Sequence, residues 1–91
     1  MKLSPREHEV LTLVACGYSD KETALKLRIS KRTVEDHINS IRLKLRAKNR
    51  VNAVAIYLQA NPKWRIEERA VKNAKKNHNT LDRRKVLPDS I

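Results

Sequence analysis

The sequence contains no phenylalanine, and among its 91 residues it has only one glycine, one cysteine and one tryptophan. With so few aromatic side chains, leucine, isoleucine, valine and alanine have to build the core. Tight hairpin turns need positive φ, which glycine supplies, so a single glycine leaves little material for a β-sheet. One cysteine, Cys16, excludes an internal disulfide and a thiolate zinc cluster. Together these absences predict an all-α protein.

Long apolar runs are absent as well. No stretch approaches the ~18 consecutive apolar residues of a membrane span. Lys2, Arg6 and Glu7 place charge where a signal peptide would need its apolar segment. We therefore expect a protein of the reducing cytoplasm, without a membrane partner and, at this length, with one domain.

The charge of the chain is unbalanced. There are 21 lysine and arginine residues against 10 aspartate and glutamate residues, which gives a net charge of +11. A field of this sign attracts polyanions, and nucleic acid is the most common of these. Ribosomal proteins and membrane-surface helices share the same trait, so composition alone leaves these classes open.

Two capping boxes mark the starts of the first two predicted helices. Ser4 is followed three residues later by Glu7. Ser19 is followed in the same way by Glu22, only two residues after Gly17, a natural end for the first helix. Such closely spaced helix starts are typical of helix–turn–helix connections.

The third predicted helix begins after Ser30 and runs from about Lys31 to Leu45. At 100° per residue, positions +4, +7 and +11 from Val34 fall in one narrow apolar stripe. This stripe consists of Val34, Ile38, Ile41 and Leu45. The opposite face carries Arg32, Glu35, Asp36, Asn39 and Leu43. The pattern predicts one side in the core and another that is polar and flanked by cations.

A fourth helix is predicted from Asn49, which can cap it, to Asn61, because Pro62 disfavours a helical residue before it. Its apolar face carries Val51, Val54, Ala55 and Leu58, whereas Ile56 and Tyr57 fall outside that face. A helix that is apolar on more than one side of so small a domain often has a partner.

The composition changes from Lys63 onward, where 9 basic and 4 acidic residues give a net charge of +5. We divide the chain into a domain over residues 1–61 and a basic, partly helical C-terminal extension over residues 62–91. The helix of this extension is expected over residues 64–78. A nucleic-acid arm, a dimer-extending helix and a solubilising end all remain open as its role. For Trp64 we favour packing against the fourth helix over stacking on a base.

A long series of residues in one order resembles the LuxR/GerE family of DNA-binding domains, over residues 3–58. The matching positions are Leu3-Ser4-Pro5-Arg6-Glu7, Glu9-Val10-Leu11, Ala15, Gly17-Tyr18-Ser19, Lys21-Glu22, Ala24, Leu27, Ile29-Ser30, Thr33-Val34, His37, Ile41, Lys44-Leu45, Arg50 and Ala53-Val54. That family is a four-helix domain whose third helix reads the major groove and whose fourth helix commonly mediates dimerisation. The resemblance implies a bacterial transcriptional regulator that acts as a homodimer on double-stranded DNA in the nucleoid.

The chain departs from the family pattern at several positions. Asp20 stands where the family usually has asparagine, and Glu35 stands where it often has lysine. Arg46 follows the Lys-Leu pair, where glycine or asparagine is frequent. An arginine in a left-handed site there would cost roughly 1 kcal/mol, so we expect this turn to differ.

The resemblance also implies site residues on the exposed face of the third helix. Asn39 is expected to contact adenine, and Glu35 or Asp36 to accept from cytosine N4. The alternative is that the acids are solvated or form i,i+4 pairs such as Glu35–Asn39. The expected phosphate contacts are Lys21, Lys31, Arg32, Thr33, Lys44, Lys48 and Arg50. The expected dimer interface is Val54, Tyr57 and Leu58.

Catalysis has little support in the sequence. It has no phosphate-cradling glycine loop, nucleophile elbow or plausible triad. His8, His37 and His78 are too scattered for a metal site. We therefore expect no enzyme, no cofactor and no metal.

Two other classes of protein share parts of this pattern. Region four of sigma factors, which binds RNA polymerase as well as promoter DNA, has a similar capped helix-turn-helix, although residues 49–54 favour the LuxR type. An interaction module would instead use Glu35 and Asp36 to bind a protein. Because only two residues precede Leu3, we expect a single-domain regulator that is controlled by its abundance or by a partner.

Overall fold

The computed structural model describes residues 2–67, in which four helices and no strand occur. The helices are α1 (Pro5–Ala15), α2 (Asp20–Leu27), α3 (Lys31–Leu45) and α4 (Arg50–Ala60). The all-α class and the four predicted helices are confirmed. Residues 64–67 are not helical, and the rest of the helix expected up to residue 78 lies outside the described range.

Each helix starts at the capping residue that the sequence indicates. These N-caps are Ser4, Ser19, Ser30 and Asn49. In the first box, Ser4 Oγ accepts from the Glu7 backbone N–H at 3.1 Å, and the Ser4 N–H donates to Glu7 Oε1 at 2.9 Å. The second box, between Ser19 and Glu22, has the same geometry. Each cap stabilises its helix by about 1 kcal/mol and so helps to fix where that helix begins.

The core is centred on α3, which packs against the other three helices. Its predicted stripe is confirmed, because Val34, Ile38, Ile41 and Leu45 are all buried. These side chains meet the buried Val10, Leu11, Leu13 and Leu27 of α1 and α2. With one side held in this way, α3 presents its other side outward along its whole length.

The ends of α2 and α3 are unusual. Both helices end on an arginine in the left-handed conformation, Arg28 at φ 59° and Arg46 at φ 55°. The prediction that Arg46 would alter its turn is wrong, because this residue adopts the left-handed conformation despite a cost of roughly 1 kcal/mol. The backbone N–H of Arg46 donates the cap hydrogen bonds to the carbonyl oxygens of Arg42 and Leu43. These bonds therefore do not depend on which side chain the residue carries.

The fourth helix turns a different face inward from the one that the apolar pattern marks. Ala53 and Tyr57 are buried, whereas Val51 is 75% exposed and Leu58 is 39% exposed. Tyr57 can enter the core because its hydroxyl lies 3.0 Å from His8 Nδ1, which satisfies the polar end of the ring. The stripe of Val51, Ala55 and Leu58 therefore lies outside.

Trp64 packs back onto this corner of the domain. Its ring meets that of Tyr57 edge to face, with centroids 4.9 Å apart, and its Nε1 donates to Thr12 Oγ1 at 2.9 Å. The prediction that Trp64 packs against the fourth helix is confirmed. The packed part of the chain thus continues past residue 61, where the domain boundary is predicted.

Candidate nucleic-acid interface

The outward face of α3 is exposed and mostly polar. It carries the five exposed side chains that the helical pattern placed there: Arg32, Glu35, Asp36, Asn39 and Leu43. The three predicted base-contact residues, Glu35, Asp36 and Asn39, therefore lie side by side on one face. A 15-residue helix is about 22 Å long, which is enough to lie in a DNA groove.

Every polar residue of this face has a neighbour on the same helix. Arg32 Nε lies 3.3 Å from Asp36 Oδ1, and Lys31 Nζ lies 3.9 Å from Glu35 Oε2. Asn39 Oδ1 accepts from Arg42 Nη2 at 2.9 Å. The acids thus pair with cations one turn earlier and not with Asn39. Exposed pairs of this kind stabilise a helix by only about 0.2–0.5 kcal/mol, so a ligand can open them easily.

Five of the seven predicted phosphate contacts take no part in the interhelical ion pairs of the described residues, and they lie near helix starts or in a loop. Lys21 is exposed in the first turn of α2, and Lys31 and Arg32 are exposed in the first turn of α3. Thr33 is half-buried, with its Oγ1 2.8 Å from the capping Ser30 Oγ. Lys48 is exposed before α4. Helix N-termini carry unpaired N–H groups and a partial positive charge, so added cations make these turns favourable for anions.

The other two predicted phosphate contacts have a role within the fold that the sequence did not reveal. Lys44 Nζ lies 2.8 Å from Glu7 Oε1 and ties α3 to α1. Arg50 binds both carboxylate oxygens of Asp20, at 2.6 and 3.2 Å, and ties α4 to α2. No local sequence pattern predicts these pairs, because their partners are 37 and 30 residues apart in the chain.

Glu7 is the most strongly perturbed of the described titratable groups. Its carboxylate is buried and accepts from the Ser4 N–H, from Lys44 and, at 2.8 Å, from Ser40 Oγ. Burial acts to raise the pKa of Glu7, but the hydrogen bonds and the charge of Lys44 outweigh it and lower the pKa to about 2. From the sequence, Glu7 was identified only as part of a capping box.

Asp20 gains a reason for its departure from the family pattern. The hydrogen bonds from Arg50 lower the pKa of Asp20 against the opposing effect of burial, and the nearby charge of Lys31 acts in the same direction. The pKa of Arg50 is raised by the same pair. An asparagine at position 20 would leave the Arg50 guanidinium without its charged partner.

The predicted dimer residues lie in different environments. Leu58 is partly exposed and Val54 is half-buried, but Tyr57 is only 8% exposed. Val51, which was not among the predicted interface residues, is the most exposed large apolar side chain of the described residues. The outward surface of α4 is thus centred on the exposed Val51, Ala55 and Leu58, and the half-buried Val54 lies at its edge.

A capped second helix, a short turn at residues 28–30 and a third helix with one buried and one polar face define a helix-turn-helix DNA-binding domain. The family model described as "Bacterial regulatory proteins, luxR family" matches residues 1–57. The chain belongs to this family, whose members are DNA-binding regulators and not enzymes.

Its relatives include bacterial regulators. The chain is 45% identical over 51 residues to YhjB of Escherichia coli (strain K12), named as an HTH-type transcriptional regulator, which covers 56% of this chain and 26% of that protein. It is 41% identical over 59 residues to the response regulator protein VraR of Staphylococcus aureus, which covers 65% of this chain and 28% of VraR. The chain therefore spans about a quarter of the length of these relatives. No solved structure matches it.

None of the helices within residues 2–67 is long and apolar enough to cross a membrane.

Proposed function

We propose that this protein regulates transcription in the bacterial nucleoid by binding specific duplex DNA sequences, with α3 in the major groove. The observation that carries the proposal is that α3 has one buried apolar face and one exposed polar face. Four buried apolar residues hold one side of the helix, while the other side exposes polar groups from Arg32 to Asn39, roughly 10 Å along the helix axis. A rigid helix with an exposed polar face is what direct readout of base edges requires.

We assign base contacts to Glu35, Asp36 and Asn39. The Asn39 amide matches the acceptor and donor of adenine N7 and N6, and a carboxylate accepts from cytosine N4. Before they bind, these groups are held by Lys31, Arg32 and Arg42. On DNA, the released cations are in place to approach phosphates, so one rearrangement supplies both kinds of contact.

The phosphate contacts in this proposal are Lys21, Lys31, Arg32, Thr33, Lys44, Lys48 and Arg50. Lys44 and Arg50 serve the fold and the ligand together, since their side chains remain 42% and 41% exposed while they hold Glu7 and Asp20. These contacts position the duplex without reading it. They also make affinity fall with salt, by roughly 0.9 per contact on a log–log scale.

We further propose that two copies pair through α4. The exposed Val51 and Leu58 form the contact together with the half-buried Val54, and Tyr57 lies buried on the inner face of the same helix. Two-fold pairing would present two recognition helices to half-sites about one helical turn apart.

Selection of bound sequences from a random duplex library, by the full chain at roughly physiological salt, tests this function. A two-fold symmetric motif with half-sites about 10 base pairs apart supports a dimeric regulator. A single half-site would support sequence reading but reject the dimer. An unenriched pool, with binding that merely tracks salt, would reject sequence-specific binding.

The exposure of the two acids supports a second candidate. The side chains of Glu35 and Asp36 are 48% and 67% exposed, a surface that a basic protein, RNA polymerase included, could bind. Glu35→Lys separates the candidates. It should change the selected DNA sequence if α3 reads bases, and it should abolish binding of the protein partner, with the DNA preference unchanged, if α3 is an interaction surface.

A further inference from the structure

Three helices of this domain end through a left-handed residue, but they do not use the same residue type. After α1 the chain passes through Gly17 at φ 100°, whereas α2 and α3 end on Arg28 and Arg46. The left-handed conformation suits glycine and strains any residue with a Cβ atom. Glycine and asparagine are the usual residues at such ends, so arginine at two of them calls for an explanation.

The two arginines bracket the proposed recognition helix. Arg28 lies two residues before Ser30, the N-cap of α3, and Arg46 follows directly after the last residue of α3. Gly17 ends α1, which is not joined to α3. The strained ends are therefore those at the two extremities of α3, and the unstrained end is elsewhere.

Among residues 2–67, no ion pair and no side-chain hydrogen bond involves either guanidinium. Both residues are exposed, and in residues 2–67 the ion pairs and side-chain hydrogen bonds of arginine involve other positions. Those arginines are Arg6, Arg32, Arg42, Arg50 and Arg65. The caps themselves are made by the backbone N–H groups of Arg28 and Arg46, which glycine would supply equally well. A side chain that strains the backbone, and that makes no ion pair or hydrogen bond in the described part of the chain, points to a ligand.

We propose that Arg28 and Arg46 each bind a DNA phosphate, one at either end of α3 and on opposite edges of the groove that it occupies. This inference rests on the proposed function. The major groove is about 12 Å wide and α3 is about 22 Å long, so a helix that crosses the groove obliquely brings its two ends close to the two sugar–phosphate backbones. Arginine fits this task because its guanidinium is permanently charged and presents several donors to phosphate oxygens.

Glycine substitutions at the two positions separate the cost to the fold from the gain in binding. In Arg28→Gly and Arg46→Gly, the urea midpoint of unfolding should stay the same or rise, because the left-handed residue no longer carries a Cβ. Affinity for duplex DNA should fall by about five-fold per residue at 0.15 M salt, and the salt slope should become shallower by roughly 0.9. Specific and random duplexes should lose affinity alike, because phosphates carry no sequence information.

Matched variants control for charge. Arg28→Lys and Arg46→Lys keep the cation and the strained conformation, so they should retain most of the slope. Lys63→Gln removes one exposed charge after α4 and should change the slope less than either glycine variant.

The inference is overturned if the glycine variants bind DNA like the unsubstituted protein, or lose no more than Lys63→Gln. It is also overturned if either glycine variant unfolds at lower urea, because the side chain would then support the fold. If the unsubstituted protein itself binds no duplex DNA, the proposed function fails and this inference fails with it. Normal binding by the unsubstituted protein and by both glycine variants would reject this inference alone.

Discussion

The domain contains ion pairs between helices and ion pairs within α3, and the two kinds differ in burial and in distance. The interhelical pairs, Glu7–Lys44 and Asp20–Arg50, have acids that are 7% and 16% exposed and distances of 2.8 and 2.6 Å. The pairs on α3 have acids that are 48% and 67% exposed and distances of 3.9 and 3.3 Å. Partial burial strengthens the first kind, whereas water screens the second. The first kind therefore belongs to the fold, and the second remains available to a ligand.

The largest expected effect is the acid sensitivity of Glu7. Its pKa is lowered from 4.5 to about 2 in the folded protein, so its contribution is complete above pH 4.5 and is lost as the pH falls towards 2. The difference corresponds to about 3 kcal/mol of folding free energy. Urea unfolding at a series of pH values between 6 and 2 should show this loss.

The matched control for this titration is Glu7→Gln. It should lower stability at neutral pH and remove most of the pH dependence below 4.5. Equal pH dependence in both proteins would show that other carboxylates, such as Asp20 with its lowered pKa, account for the acid sensitivity.

Removal of the cation gives the next effect. Lys44→Met should destabilise the domain by about 2 kcal/mol, because Glu7 would stay buried with only the Ser4 N–H and Ser40 as donors. The same variant should raise the pKa of Glu7, which an NMR titration of its carboxyl carbon measures. A stability loss without a change in that pKa would contradict the assigned pairing.

The second interhelical pair is expected to contribute less. Asp20→Asn should cost about 1 kcal/mol, since the Arg50 side chain is 41% exposed and water can solvate it. For a domain of this size that loss corresponds to a decrease in Tm of roughly 4–8 °C. Arg50→Gln in the Asp20→Asn background should then have little further effect. A large additional loss would show that Arg50 stabilises the fold through other contacts.

The four helices of this fold follow from local sequence patterns, so their starts and the buried face of α3 could be predicted from the sequence. Ser4, Ser19, Ser30 and Asn49 announced the helix starts because capping involves residues within one turn. The buried stripe of α3 followed from its helical period. The conformation of the turn at Arg46 was predicted wrongly. The left-handed conformation costs an arginine only about 1 kcal/mol, and the other interactions of the turn outweigh that cost.

Contacts between different helices could not be predicted from the sequence. Nothing local indicates that Tyr57 turns inward to His8 while Val51 turns outward, because both faces of α4 carry apolar residues. Lys44 and Arg50 looked like surface cations for the same reason: their partners lie on other helices. The outward face of α3 could be predicted as a candidate site. That Lys44 and Arg50 also hold the fold together could not be predicted, because it depends on how the helices pack.

The smallest effect on stability is expected where the effect on DNA binding is clearest. Glu35→Gln combined with Asp36→Asn should change the free energy of unfolding by less than about 0.5 kcal/mol, because both pairs are exposed. It should nevertheless strengthen binding to random duplexes, since Lys31 and Arg32 lose the carboxylates that compete with phosphates for them. Preference for cytosine in the selected motif should weaken at the same time, because an amide also donates. Binding titrations on random and selected duplexes measure both changes. A double variant that loses stability but keeps its DNA preference would show that these two pairs stabilise the fold, as the pairs of Glu7 and Asp20 do. The assignment of Glu35 and Asp36 to base contacts would then be rejected.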